Sequence, residues 1–421
     1  MRRLQGLLIG FLFYTSVVVA QSLEITPARV MADEAATIRV TGLAPQEHIV
    51  IQAELTDGGG QPWASRAEFA ADASGVVDAT KQAPVKGSYD GVSAMGLVWA
   101  MMPATKNVQI YQPPHQLGVQ AIDFRVMADG KQIANGQLEQ MALRDGVKQI
   151  RLTGALHGVF LVPDAEGKHP GVLMVGGSEG GVPVRKAAWL ASHGYAVLAL
   201  AYFRYDDLPR ELENIPLEYF GEALSWIMQR PEVEANELAV VGTSRGGELA
   251  LQLGSMYPQV RAVVAYVPAN VRYPACCNRM RGAAWTWKGQ PVAYVLPRFK
   301  GDAALAAAAT IRVEQTHGPI LVISGGSDGV WDSRSMADAV VHRLQEAHFA
   351  YPYEHLNYPH AGHRAGSPEI IPAWSGAISH PVSGEEMNLG GTAKGNAEST
   401  LDAGPKVLEF LERSFAASAA R

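Results

Sequence analysis

Gly242-Thr243-Ser244-Arg245-Gly246 is the stretch that decides the reading of this chain. It follows an apolar run, Leu238-Ala239-Val240-Val241, and leads into Glu248-Leu249-Ala250-Leu251-Gln252-Leu253. The pattern predicts strand, tight turn, helix. At so sharp a turn the residues flanking the serine must lack bulk, and the serine hydroxyl is lifted clear of the backbone at a helix N-terminus. With 43 glycines in the chain, the five-residue pattern alone carries little weight. Its place between an apolar strand and a helix is what gives it meaning.

A serine hydroxyl needs a general base, and the base needs an orienting acid. Ile320-Leu321-Val322-Ile323-Ser324 reads as a buried strand running into the loop Gly325-Gly326-Ser327-Asp328-Gly329. Tyr353 to Tyr358 reads as the next strand, ending in Pro359-His360-Ala361-Gly362-His363. Both loops lie just past strand ends, where an open α/β sheet gathers its active site. Asp328 is therefore assigned as the acid and His363 as the base, with Ser244 as the nucleophile. Asp332 and His360 are the rivals. Asp332 sits where it would cap a helix beginning near Ser333, and most of the 12 histidines must be ordinary residues.

Upstream, Pro170-Gly171-Val172-Leu173-Met174-Val175 opens into Gly176-Gly177-Ser178-Glu179-Gly180-Gly181. A glycine-rich loop here can bring the Ser178 backbone N–H to a developing oxyanion, with the N–H of Arg245 as second donor. Such a loop before a helix could also cradle a phosphate. No Gly-Lys-Ser/Thr ending follows, and the spacing is not that of a dinucleotide fingerprint, which disfavours a nucleotide site.

Two grammars divide the 421 residues. Over 22–144, His48 to Thr56 and Trp63 to Phe69 alternate, and Asp129-Gly130 and Asn135-Gly136 have the composition of hairpin turns. The segment is expected to be a small antiparallel β-sandwich of about seven strands with no helical stretch. Over 145–421, compact apolar runs such as Tyr195 to Ala201 and Val260 to Tyr266 alternate with amphipathic helices. Leu217 to Met228 is one, with Leu217, Phe220, Leu224 and Ile227 on its inner face; Ser335 to His348 and Ser399 to Phe415 are others. This alternation predicts an α/β fold, a doubly wound, mostly parallel sheet of the α/β-hydrolase kind. Lid-like insertions are expected near 270–317 and 365–398, the first carrying Trp285, Trp287, Tyr294 and the adjacent pair Cys276-Cys277. An apolar lid over the serine suggests a hydrophobic acyl chain.

Met1-Arg2-Arg3, the apolar stretch Leu7 to Val19, and Val18-Val19-Ala20 have the layout of a cleaved signal peptide over residues 1–20. The chain is therefore expected to be exported, periplasmic or secreted, with no stable membrane span. A net charge of −6, spread along the chain, argues against a nucleic-acid partner. The cysteine pair offers no disulfide framework and no zinc-ligand spacing, and leaves two readings, filler in a pocket wall, which is favoured, and a redox role. The chemistry calls for no metal and no organic cofactor.

The chain resembles the acyl-CoA thioesterase / bile acid-CoA:amino acid N-acyltransferase family. The resemblance is carried by Gly87-Ser88-Tyr89-Asp90-Gly91-Val92, Met95-Gly96-Leu97-Val98-Trp99 and Ala201-Tyr202-Phe203-Arg204-Tyr205-Asp206-Asp207-Leu208-Pro209. It continues through Leu217-Glu218-Tyr219-Phe220, the segment from Gly242 to Leu249, Gly318-Pro319-Ile320-Leu321 and Ser327-Asp328-Gly329-Val330-Trp331. It implies a serine hydrolase of acyl thioesters, acting in lipid metabolism through an acyl-enzyme, with Ser244, Asp328 and His363 in the three roles. The amino-acid-conjugating members carry cysteine at the nucleophile; serine points to water as acceptor. Arg245 stands where the family usually has lysine. The eukaryotic thioesterases work inside cells, where acyl-CoA is plentiful, so an exported member raises the alternatives of a general carboxylesterase, dienelactone-hydrolase-like, or of acyl transfer to an amine.

Overall fold

A computed structural model describes residues 20–277, 282–296 and 303–419. The leader expected over 1–20 lies outside the described residues except for Ala20.

Between Ser22 and Met141 the chain forms a three-stranded and a seven-stranded sheet. Trp63, Phe69, Ile51, Phe124 and Val126, from alternate positions of the longer strands, are buried in one core. This is the β-domain expected, with more strands than seven because several are short: Val77–Asp78, Lys86–Gly87 and Met102–Pro103 have two residues each. Such pieces are too short to show alternation. Two further corrections arise here. Gly96–Trp99 is one buried helical turn, and His115–Leu117 a 3-10 turn, both too short for a helical period to repeat. Asp129-Gly130 does make the tight turn, joining Gln120–Ala128 to Lys131–Met141. Asn135-Gly136 does not: it is paired inside Lys131–Met141, opposite Arg125 and Phe124. Gly136 is small for a packing reason, since a Cβ there would lie 3.1 Å from Ile25 and 3.3 Å from Leu23.

The rest of the chain is built on eight strands: β1 (Lys148–Leu152), β2 (His157–Val162), β3 (His169–Val175), β4 (Ala196–Ala201), β5 (Val233–Thr243), β6 (Ala262–Tyr266), β7 (Ile320–Gly325) and β8 (Tyr353–Tyr358). Their order is β1-β2-β4-β3-β5-β6-β7-β8. The pairs β1·β2 and β2·β4 are antiparallel, and every later pair is parallel. Helices α1 (Val184–Ser192), α2 (Leu217–Met228), α3 (Arg245–Met256), α4 (Ser333–Glu346) and α5 (Ala393–Ala419) cover it.

Both faces of the inner strands β3, β4, β6 and β7 are buried, which is why they read as unbroken apolar runs. Along β3, Leu173 and Val175 pack toward α2 and α3, while Val172 and Met174 pack toward α1 and α5. The fold is an α/β-hydrolase sheet preceded by the N-terminal domain, whose strand pairs are antiparallel except that Arg29–Met31 runs parallel to Lys131–Met141.

The two segments expected as lids have structure of their own. Trp285–Trp287 and Gln290–Pro291 form a small sheet with Ile215–Pro216, and Trp285 is a core residue against Tyr202 and Phe220. The later segment docks onto the N-terminal domain, where Ile370, Ile371 and Ala373 join its core. It then folds back as a hairpin of Ala377–Ser379 and Glu386–Asn388.

Candidate active site

The turn after β5 has the strained geometry expected of an elbow: Ser244 lies at φ 59°, ψ −120°. Gly242 and Gly246 are required by contact. A Cβ on Gly242 would lie 1.9 Å from the Gly246 carbonyl oxygen, and one on Gly246 would lie 2.2 Å from that of Gly176. The Ser244 N–H donates to the Tyr266 carbonyl at 2.9 Å, fixing the elbow to β6.

The structure brings Ser244, His363 and Asp328 together. His363 Nε2 is 2.8 Å from Ser244 Oγ, and His363 Nδ1 is 2.8 and 3.0 Å from the two Asp328 oxygens. Asp328 Oδ1 also accepts from the N–H groups of Val330 and Trp331, so the acid is held by its own loop. Its side chain is 1% exposed and that of His363 10%. His363 is held from both sides: its N–H donates to the Leu389 carbonyl at 2.7 Å, and the Trp331 ring packs edge-on against it at 5.4 Å. Chemically, this chain of bonds can draw a proton from Ser244 onto His363 and steady the resulting imidazolium.

The rivals lie elsewhere. Asp332 caps α4 by accepting from the Ser335 N–H. His360 is exposed, and its carbonyl accepts from the Thr392 N–H.

The glycine-rich loop lies against the elbow, with a Cβ on Gly177 falling 3.3 Å from Ser244 Cβ. Its Gly177 N–H donates to Glu179 Oε1 at 3.0 Å. Among the described residues the N–H groups of Ser178 and Arg245 carry no hydrogen bond. The Arg245 side chain turns away from the serine. Its guanidinium donates to the Pro274 and Tyr273 carbonyls and faces the fully buried Glu248 carboxylate at 3.1 Å. Burial raises the Glu248 pKa, while the Arg245 charge and the Trp285 N–H bond oppose the rise. The cation after the serine thus braces the pocket wall.

Two neighbours, His380 and Lys186, escape a sequence reading, and the cysteine pair was read only in part. His380, from the late hairpin, lies 2.9 Å from Ser178 Oγ. Its Nδ1 accepts from the N–H groups of Val382 and Ser383, so the neutral ring carries its proton on Nε2 and donates to Ser178. Cys276 and Cys277 are joined to each other as a disulfide, with Cys277 Sγ 3.7 Å from His380 Nε2. The pair lies beside Ser178 and His380 and is bonded rather than free. Lys186 on α1 reaches Thr243, one residue before the serine. The glycine loop advertised Glu179; nothing in sequence pointed to Lys186 or His380.

Two family descriptions cover most of the chain. The acyl-CoA thioester hydrolase/BAAT N-terminal region matches residues 33–154, and the BAAT/acyl-CoA thioester hydrolase C-terminal part matches 215–417. Human acyl-coenzyme A thioesterase 6 is 30% identical over 94% of this chain and 97% of its own. Mouse peroxisomal succinyl-coenzyme A thioesterase is 27% identical over 96% of this chain and 99% of its own. Among solved structures, the dienelactone hydrolase-like phosphotriesterase P91 is 17% identical with a TM-score of 0.38, over 63% of this chain and 97% of its own. On the strength of the human relative, matched almost end to end, this chain belongs to the acyl-CoA thioester hydrolase/BAAT family.

Proposed function

We propose that this protein is a serine hydrolase that cleaves acyl-CoA-type thioesters in two steps. Ser244 Oγ attacks the thioester carbonyl carbon as His363 Nε2 takes its proton, and the carbonyl oxygen becomes an oxyanion facing the N–H groups of Ser178 and Arg245. The intermediate collapses, the carbon–sulfur bond breaks, and His363 returns the proton to the departing thiol. Water, deprotonated by His363, then attacks the Ser244 ester, and the carboxylic acid leaves with Ser244 restored. Asp328 keeps Nδ1 protonated throughout, so Nε2 is always the atom that receives the proton.

The observation that carries this reading is the Ser244–His363–Asp328 hydrogen-bond chain in a member of a family whose relatives are named thioesterases. Serine rather than cysteine at the nucleophile supports hydrolysis over conjugation. The test compares kcat/KM on a long-chain acyl-CoA with that on an oxygen ester of the same acid. The thioester should be preferred and Ser244→Ala should be inert on both. Equal or better turnover of the ester would make this a general carboxylesterase, and a glycine or taurine amide among the products would make it a transferase. Export belongs to the same proposal, on the layout of residues 1–20; N-terminal sequencing of the protein from its native host should find a mature start near Gln21. A retained Met1 would sink that part.

A further inference from the structure

Lys186 is used by none of the steps above, yet its ammonium is placed under the nucleophile. The residue is only partly buried, but its charged end turns inward. Nζ donates to Thr243 Oγ1 at 2.6 Å and lies 4.1 Å from the centroid of the Tyr266 ring. Both partners belong to the footing of the elbow. Thr243 immediately precedes Ser244, and Tyr266 supplies the carbonyl that holds the Ser244 N–H. The leading charge that favours the ammonium is Glu179, whose carboxylate holds the Gly177 N–H of the adjoining loop. Arg364 and Glu369, from the segment after His363, face it with opposite signs.

An ammonium taken out of water is costly unless its charge is needed where it lies. Anchoring Thr243 is within reach of a neutral side chain; a cation–π contact with the Tyr266 ring is not. We propose that Lys186 is a positioning residue whose charge ties the nucleophile elbow, through Thr243, to the end of β6, through the Tyr266 ring. The Ser244 hydroxyl and the Tyr266 carbonyl that holds the Ser244 N–H are thereby kept in one relative geometry. The inference rests on Ser244 being the nucleophile.

The tie has a pH signature. Burial pulls the ammonium pKa down to about 8, the Arg364 charge adds to that effect, and Glu179 and Glu369 oppose it. The charged form therefore prevails below about pH 8 and is lost above it. Tyr266, the ring it faces, has its hydroxyl pKa raised by burial and stays neutral across this range.

The experiment is the rate of fluorophosphonate labelling at Ser244 of the mature protein, followed by intact mass from about pH 6 to about pH 10. It requires no knowledge of the natural substrate. Wild type should label more slowly above about pH 8. Lys186→Arg, whose guanidinium keeps its charge, should label within about threefold of wild type at neutral pH and lose the alkaline fall. Lys186→Met and Thr243→Val should each be slowed about tenfold at neutral pH. Their double variant should be no slower than either, because both cut the same tie. Should Lys186→Met fail to fold, the arginine and valine variants decide. A wild type with no alkaline fall, an arginine variant that keeps it, or a valine variant labelling at the wild-type rate overturns the proposal while leaving Ser244 as nucleophile. A wild type that does not label at all overturns the proposed function and this inference with it.

Discussion

At the scale of single residues, the site depends on which nitrogen of His363 carries the proton. Nδ1 lies between the two Asp328 oxygens, so Nδ1–H is the donor and Nε2 is free to accept from Ser244. Asp328→Asn would present an amide N–H to Nδ1, favour the other tautomer, and leave Nε2 with a proton it must lose first. The expected result is a fall in kcat on the order of 10⁴, with KM changed little. Steady-state kinetics on an acyl-CoA checks it, and a loss of less than about tenfold would remove Asp328 from the mechanism. Arg245 shows a different residue-level logic. Its backbone N–H is the proposed oxyanion donor while its side chain serves the wall, so substitutions of the side chain should act through the wall.

At the scale of elements, that wall is the segment following β6, pinned at Tyr273 and Pro274 by Arg245, which is itself paired with Glu248. Glu248 is 0% exposed. Arg245→Met removes its counter-charge and should destabilise the fold by about 3–5 kcal/mol, whereas Arg245→Met with Glu248→Leu should recover most of that loss. Chemical denaturation of both variants decides; a double variant no more stable than the single would mean that the pair does more than neutralise itself.

The elements are also where sequence reading succeeded and failed. β6 and β7 were legible because two-sided burial writes continuous apolar runs, and α2 because one-sided burial writes a 3.6-residue period. The elbow was legible because Gly242 is forced by a contact within a few residues of Ser244, whereas Gly246 is forced by the Gly176 carbonyl, distant in sequence. The hairpin carrying His380 was not, since its strands have three residues each. Nor was the His380 contact, which spans 202 residues, or that of Lys186 to Thr243, which spans 57. Asn135-Gly136 misled because glycine serves close packing as well as turns, and composition does not separate the two. Asp332 could be set aside correctly because capping is a local habit.

At the scale of the whole molecule, the N-terminal domain is joined to the catalytic sheet through the segment that follows His363. The Ile370 N–H donates to the Ala32 carbonyl, the Ala373 N–H to that of Trp99, and Arg185 on α1 pairs with Glu369. Ile370, Ile371 and Ala373 bury their side chains in the N-terminal core. Residues 145–421 expressed alone would expose this apolar patch and free the backbone leading away from His363. The truncated chain is expected to self-associate on size-exclusion chromatography and to lose activity. A monomeric, fully active 145–421 would show the domain to be a passenger. No described helix is long and apolar enough to cross a membrane.

The central claim, an acyl-enzyme on Ser244, is tested most directly by rapid quenching with a long-chain acyl-CoA followed by peptide mass spectrometry. The account predicts a transient adduct of one acyl group on the peptide containing Ser244, absent in Ser244→Ala. Thioester hydrolysis with no such adduct, or with the acyl group on another residue, would contradict it.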